Sequence, residues 1–180
     1  MAEARDAPRP AWPKARDVFT DPIHLLAFGF GSGLSRVAPG TFGSAASLVV
    51  YFALLGQHPY LIVALAVIFT LLGFEICGRS AAKLGVHDHP GIVWDEWAGM
   101  FVALAFIPVA IVSAVDLLWV LAAFLLFRFF DIVKPWPARY FDRERHDGVG
   151  IVMDDVVAGL YAGLVLTLAA VLIVPSAIGG

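Results

Sequence analysis

The chain has 180 residues, 60% of them hydrophobic and 15% charged, with a formal net charge of −3 and a single cysteine. Soluble domains average about 45–50% apolar and about 25% charged residues, so the composition excludes an ordinary soluble domain and points to one polytopic membrane domain. The small net charge, with no basic run longer than two residues, argues against a nucleic-acid partner, and the lone Cys77 excludes an intrachain disulfide.

Residues 1–21 hold Pro8, Pro10 and Pro13 among charges and read as a flexible cytoplasmic tail, with no cleavable signal peptide. Residues 22–180 read as a single membrane-embedded domain. The stretch 22–35 starts on Pro22, runs apolar and breaks up at Gly29, Gly31 and Gly33, which predicts a short interfacial or re-entrant helix. Five spans are expected, over 42–56, 60–77, 97–115, 117–133 and 155–174. The first and fourth lie near the spanning minimum of about 17 residues, so four spans stay open. Uninterrupted apolar runs favour helices over barrel strands, which alternate with period two, so the expected fold is an all-α polytopic bundle.

Charge sets the orientation. Arg5, Arg9, Lys14, Arg16 and Arg36 precede the first span; Arg79 and Lys83 lie between the second and third; Arg128, Lys134, Arg139, Arg143 and Arg145 lie at or after the end of the fourth. These three sets hold all 12 Lys and Arg, and the opposite connections hold none. The positive-inside bias therefore places the N-terminus and the long polar loops in the cytoplasm. Asp116 is the single acid on the far face; the other 14 of the 15 carboxylates share the basic side. Carboxylates crowded at a membrane surface repel one another unless a cation lies among them, which suggests a divalent-metal site at the bilayer interface.

The densest polar segment is Val86-His87-Asp88-His89-Pro90-Gly91-Ile92-Val93-Trp94-Asp95-Glu96-Trp97. Hard divalent ions such as Mg²⁺ favour carboxylate oxygens. Asp95 and Glu96 would also suit a helix start through the helix dipole, and Trp94 and Trp97 read as interfacial anchors. At the end of the fourth span, Arg128, Asp131 and Lys134 are three apart and can share one helical face. They form either a plain Arg128–Asp131 ion pair or a metal ligand with two phosphate-holding cations. Before the last span, Gly159 and Gly163 share a stripe with Asp155 and turn it toward the bundle. Asp154, rotated by about 100°, is read as a ligand or a helix cap. Arg36 through Ser44 combines glycine freedom, Thr41 as an N-cap candidate and free helix-start amides, a weak phosphate cradle. There is no Asp-x-Asp pair, Walker loop, paired zinc-type spacing or CDP-alcohol transferase pattern.

Taken together, these segments resemble the phosphatidylglycerophosphatase A family of bacteria. The matching runs are Gly31-Ser32-Gly33-Leu34-Ser35 with Pro39-Gly40-Thr41-Phe42-Gly43-Ser44, Gly85-Val86-His87-Asp88-His89 with Val93-Trp94-Asp95-Glu96, Phe127 through Pro137, and Gly148 through Gly159. The resemblance covers roughly residues 25–165 and implies a Mg²⁺-dependent phosphatase of the bacterial inner membrane. Its substrate would be the lipid phosphatidylglycerophosphate, cleaved to phosphatidylglycerol and orthophosphate in the last step of phosphatidylglycerol synthesis.

The residues suit that chemistry. A phosphomonoester carries about −1.5 to −2 charges, so bare aspartates would repel it. The candidate metal ligands are Asp95, Glu96, Asp131, Asp154 and Asp155. The candidate catalytic set is His87, Asp88, His89, Arg128 and Lys134, with His87 or His89 protonating the leaving oxygen. The substrate-binding candidates are Arg36, Thr41, Ser44 and Lys83. Two alternatives are a small divalent-cation transporter, which should carry midplane acids and inverted repeats, and a phosphatase for another lipid phosphate such as phosphatidic acid. The pattern sets no oligomeric state.

Overall fold

The computed structural model describes residues 11–54, 59–107 and 114–178. Within them every regular element is helical: α1 (Ala15–Thr20), α2 (Pro22–Ala27), a 3-10 segment (Gly29–Leu34), α3 (Pro39–Ala53), α4 (Pro59–Leu84), α5 (Trp94–Leu104), α6 (Ala114–Val133), α7 (Ala138–Glu144) and α8 (Gly148–Ile178).

Local chemistry sets the helix ends. α4 stops where Gly85 adopts φ +68, a left-handed conformation that glycine takes without steric cost. There the Val86 amide reaches back to the Ala81 carbonyl at 3.2 Å and the Gly85 amide to that of Ala82 at 3.1 Å. α6 stops at Val133 because Lys134 turns to φ +46 and Pro135 follows. α8 is capped by Asp147, whose Oδ1 accepts the Gly150 amide at 2.9 Å.

Several boundaries differ from the sequence reading. α4 extends to Leu84, so Arg79 and Lys83 lie on its last turns, and Arg79 pairs with Glu75 one turn earlier. α8 begins at Gly148 rather than at 155, which places Asp154 and Asp155 inside a helix and removes the capping role for Asp154. The region read as one span over 97–115 is a short helix in its described part. α5 has 11 residues, about 16 Å of rise, and residues 105–107 leave the helix. The remainder to 113 falls outside the described residues, as do 57–58 of the expected external turn and 1–10 of the expected tail. Residues 15–20 of that tail form α1, with Val18 buried.

Two helices, over Tyr60–Leu84 and Gly148–Ile173, are long and apolar enough to cross a membrane. Only 22% and 39% of their most apolar windows are buried, too little for core helices of a soluble protein. Val63, Val67 and Leu71 of α4, Leu117, Leu121 and Leu125 of α6, and Leu164 and Leu168 of α8 are all exposed. An apolar surface this extensive is unusual for a soluble monomer and natural against lipid.

α5 is the buried centre. Met100, Phe101, Ala103 and Leu104 pack among α4, α6 and α8 with Ala66, Phe127 and Leu166. Lipid tails supply no hydrophobic drive between helices, so close packing over small residues holds such a bundle together. At one end, α1, α2 and the 3-10 segment form a lid over the loop that leads into α5. Phe28 and Val18 are buried there, and the Val93 amide donates to the Ala27 carbonyl at 2.8 Å.

Candidate functional site: an acidic mouth at one end of the bundle

The site lies where the first turn of α5 meets α8 and the end of α6. Trp94 and Trp97, read as interfacial anchors, are buried instead. Their rings stack at 5.8 Å and 7°, Phe69 of α4 packs against Trp94, and Trp94 Nε1 donates to the Phe69 carbonyl at 3.0 Å. These contacts fix the rotation of α5, so Asp95 and Glu96 turn inward rather than cap the helix.

α8 brings the third acid. A methyl at Gly99 would lie 2.5 Å from the Asp155 carbonyl oxygen, and one at Gly159 would lie 2.3 Å from that of Gly99. The backbones therefore touch, through the small-residue stripe expected of Gly159. The result is a cluster of Asp95, Glu96 and Asp155 in which one carboxylate oxygen from each lies within 4.8 Å of the others. Asp95 and Asp155 are buried, and Asp95 Oδ1 and Glu96 Oε2 have no hydrogen-bond partner among the described residues. Buried carboxylates without donors are costly and mutually repulsive. The donor set is all oxygen, the kind that hard divalent ions take. The cluster could hold a metal ion.

The other two proposed ligands line the same cavity but are paired with cations. Asp131 Oδ2 accepts from Arg128 Nη1 at 2.8 Å, the ion pair anticipated from their spacing. Arg128 Nη1 also lies 3.3 Å from Ser44 Oγ and 3.9 Å from Glu96 Oε1. Asp154 is bonded to Lys134, whose ammonium also holds Asp142 of α7. Burial alone would lower the Lys134 pKa, but Asp154 and Asp142 outweigh it and hold the ammonium well above its ordinary value. Lys134 shares no helical face with Arg128 and Asp131, because its left-handed backbone breaks α6 and swings the side chain toward α8.

The cavity measures about 220 Å³ and is walled by Asp88, Asp95, Glu96, Arg128, Asp131, Lys134, Asp154 and Asp155, with Ala38, Pro39 and Gly40 of the α3 start opposite. Ala38, like Lys134, has a left-handed backbone, at φ +46. Such non-glycine residues cost of order 1–3 kcal/mol and gather at functional sites.

The remaining sequence candidates divide. Asp88 is exposed on the cavity wall. His87 is exposed beside it, with Nε2 3.0 Å from His146 Nδ1. His89, a candidate acid, is buried away from the cavity against Trp12 and Phe28, and its Nδ1 accepts the Gly91 amide at 3.0 Å. Burial lowers its pKa, so the ring is neutral near physiological pH. Ser44 is buried, donating to the Gly40 carbonyl at 2.8 Å while accepting from Arg128, so it positions the arginine. Thr41 is exposed in the first turn of α3, whose N-cap is Ala38. Arg36 is exposed and Lys83 pairs with Asp21; neither lines the cavity.

Three participants escaped the sequence reading. Asp142 and His146 carried no local signal, because their partners Lys134 and His87 meet them only through the fold. Gly40 gave a weak one: a methyl there would lie 2.1 Å from Glu96 Oε1 and 3.1 Å from both terminal nitrogens of Arg128.

The family model described as Phosphatidylglycerophosphatase A matches residues 25–170. A Haemophilus influenzae protein of that name is 52% identical over 149 residues, covering 81% of this chain and 87% of its own length. An Escherichia coli protein of the same name is 44% identical over 154 residues, covering 85% of this chain and 86% of its own. A Bacteroides thetaiotaomicron protein, provisionally named a phosphatidylinositol-3-phosphatase, is 36% identical over 151 residues, covering 81% and 91%. No solved structure matches.

Proposed function

This chain belongs to the phosphatidylglycerophosphatase A family, and from that membership we propose that it hydrolyses phosphatidylglycerophosphate to phosphatidylglycerol and orthophosphate. The observation that carries the chemistry is the cluster of Asp95, Glu96 and Asp155, with Asp95 and Asp155 buried and with Asp95 Oδ1 and Glu96 Oε2 lacking a donor, beside two cations at one end of an apolar bundle.

Asp95, Glu96 and Asp155 would hold Mg²⁺, with Asp131 and Asp154 facing the same cavity. When bound, the ion supplies Lewis-acid polarisation of a phosphoryl oxygen and a more acidic water. Arg128 and Lys134 supply fixed positive charge to the transferring phosphoryl group, where preorganised donors act most strongly. Ser44 and Asp131 hold the Arg128 fork in place. With His89 buried, the proton for the leaving glycerol oxygen comes from the His87–Asp88 side of the mouth. Exposed Val37 and Phe42 near the start of α3, and Phe129 and Ile132 near the end of α6, give the mouth apolar flanks for a lipid-borne substrate.

The placement we favour has five crossings, with the N-terminus and mouth on the cytoplasmic side of a bacterial inner membrane. The one-sided distribution of all 12 Lys and Arg supports it. A second substrate reading, another lipid phosphomonoester, is favoured by the provisional name of the Bacteroides thetaiotaomicron relative.

The test is phosphate release by purified protein from phosphatidylglycerophosphate, phosphatidic acid and phosphatidylinositol 3-phosphate, with and without EDTA. Preference for the first substrate, abolished by chelator and restored by excess Mg²⁺, is expected. Full turnover in metal-free buffer would overturn the metal assignment, and preference for another lipid would overturn the substrate.

A further inference from the structure

α7 carries side chains that the reaction leaves unused. Arg139 and Arg143 stand one turn apart on it, and with Trp136, Tyr140 and Glu144 they line a groove of about 420 Å³. Trp136 is 78% exposed and Tyr140 51%. Their basic neighbours Lys134 and Arg145 are already held in ion pairs, Lys134 with Asp142 and Asp154 and Arg145 with Asp147. Neither Arg139 nor Arg143 enters an ion pair of the described residues, and Glu144, the acid in the groove, enters none either. Arg139 places one N–H 3.5 Å from the Val133 carbonyl. The groove thus keeps an excess of positive charge between two exposed aromatic rings.

Its level in the membrane follows from its neighbours. The chain reaches it directly after Phe129, Ile132 and Val133, the last exposed apolar side chains of α6. The Tyr161 hydroxyl of α8 donates to the Trp136 carbonyl at 2.8 Å, fixing the turn against a spanning helix. Headgroup level is where Trp and Tyr gather at a bilayer.

We propose that this groove docks the phosphodiester headgroup of an anionic phospholipid from the surrounding leaflet. Arg139 and Arg143 clamp the phosphate, for which the guanidinium fork is the fitting donor, and Trp136 and Tyr140 lie against the glycerol backbone. A zwitterionic headgroup offers no net charge to the pair, so selection is by charge. The assignment rests on membrane placement alone and is independent of the hydrolytic reaction.

The test uses the purified full chain in detergent without substrate, titrated with phosphatidylserine or phosphatidylcholine, with retained lipid counted by native mass spectrometry. Phosphatidylserine is neither substrate nor product of the proposed reaction, so the result stands apart from that reading. Wild type should retain phosphatidylserine in preference to phosphatidylcholine. The R139Q/R143Q variant should bind phosphatidylserine roughly 30-fold more weakly, the combined effect of two interfacial basic residues. R139K/R143K, which keeps the charge and loses the fork, should fall between and keeps the test readable if the Gln pair fails to fold. Wild-type affinity in either variant, or equal retention of the two lipids by wild type, would overturn the proposal.

Discussion

Replacing Gly40 by alanine puts a methyl carbon 2.1 Å from Glu96 Oε1 and 3.1 Å from Arg128 Nη1 and Nη2. Carbon–oxygen contacts settle at about 3.3–3.6 Å, so the Glu96 carboxylate must retreat by roughly 1 Å. The backbone raises no objection, since Gly40 sits in the first turn of α3 and is not among the glycines with positive φ. Alanine is the better helix former by about 1 kcal/mol, which offsets the strain of moving one side-chain end. The carboxylate, however, is one of three in the cluster, and a misplacement of about 1 Å can cost on the order of 10²-fold in rate. Gly40→Ala should therefore lose about two orders of magnitude of turnover and need more Mg²⁺, while its thermal midpoint stays near that of wild type. The assay pairs phosphate release across a Mg²⁺ titration with thermal unfolding in the same detergent. Wild-type turnover in Gly40→Ala would remove Glu96 from the chemistry, and a parallel loss of stability would refute the separation of geometry from folding.

Four further outcomes are expected. Asp131→Asn keeps the shape but removes the charge opposite Arg128, and should lower phosphate release by about 10²–10³. Asp116→Asn, at the opposite end of α6, and Asp17→Asn on α1 should stay near wild type; comparable losses at Asp116 and Asp131 in folded protein would sink the one-ended site. In intact cells, a membrane-impermeant thiol reagent should spare Asp88→Cys and label Gln57→Cys, and strong external labelling at position 88 would reverse the orientation. Gly163→Ala would bring a methyl 2.3 Å from the Phe106 ring, an overpacking of about 1–3 kcal/mol. It should lower the thermal midpoint while turnover per folded molecule is unchanged, and a selective loss of turnover there would show that the lower bundle takes part in the chemistry.

The sequence alone determined the class of this protein and the end of the bundle where its charged residues gather. Apolar runs uninterrupted by period-two alternation allow only helices, and the confinement of every Lys and Arg to three segments marks one end of the bundle. The motif runs that carry the family resemblance contain all eight polar residues walling the cavity, Asp88, Asp95, Glu96, Arg128, Asp131, Lys134, Asp154 and Asp155. Tertiary structure decided how those residues divide. Proximity across helices depends on backbone approach and helix rotation, which composition and spacing do not fix. The contact of Gly99 with Gly159 and the stacked Trp94 and Trp97 select Asp95, Glu96 and Asp155 as the cluster. The left-handed turn at Lys134 breaks the helical face it would have shared with Arg128 and carries its ammonium to Asp154 and Asp142. His87 and His89, two residues apart in one polar loop, part company for the same reason: the lid formed by Trp12 and Phe28 closes over one ring and leaves the other at the surface.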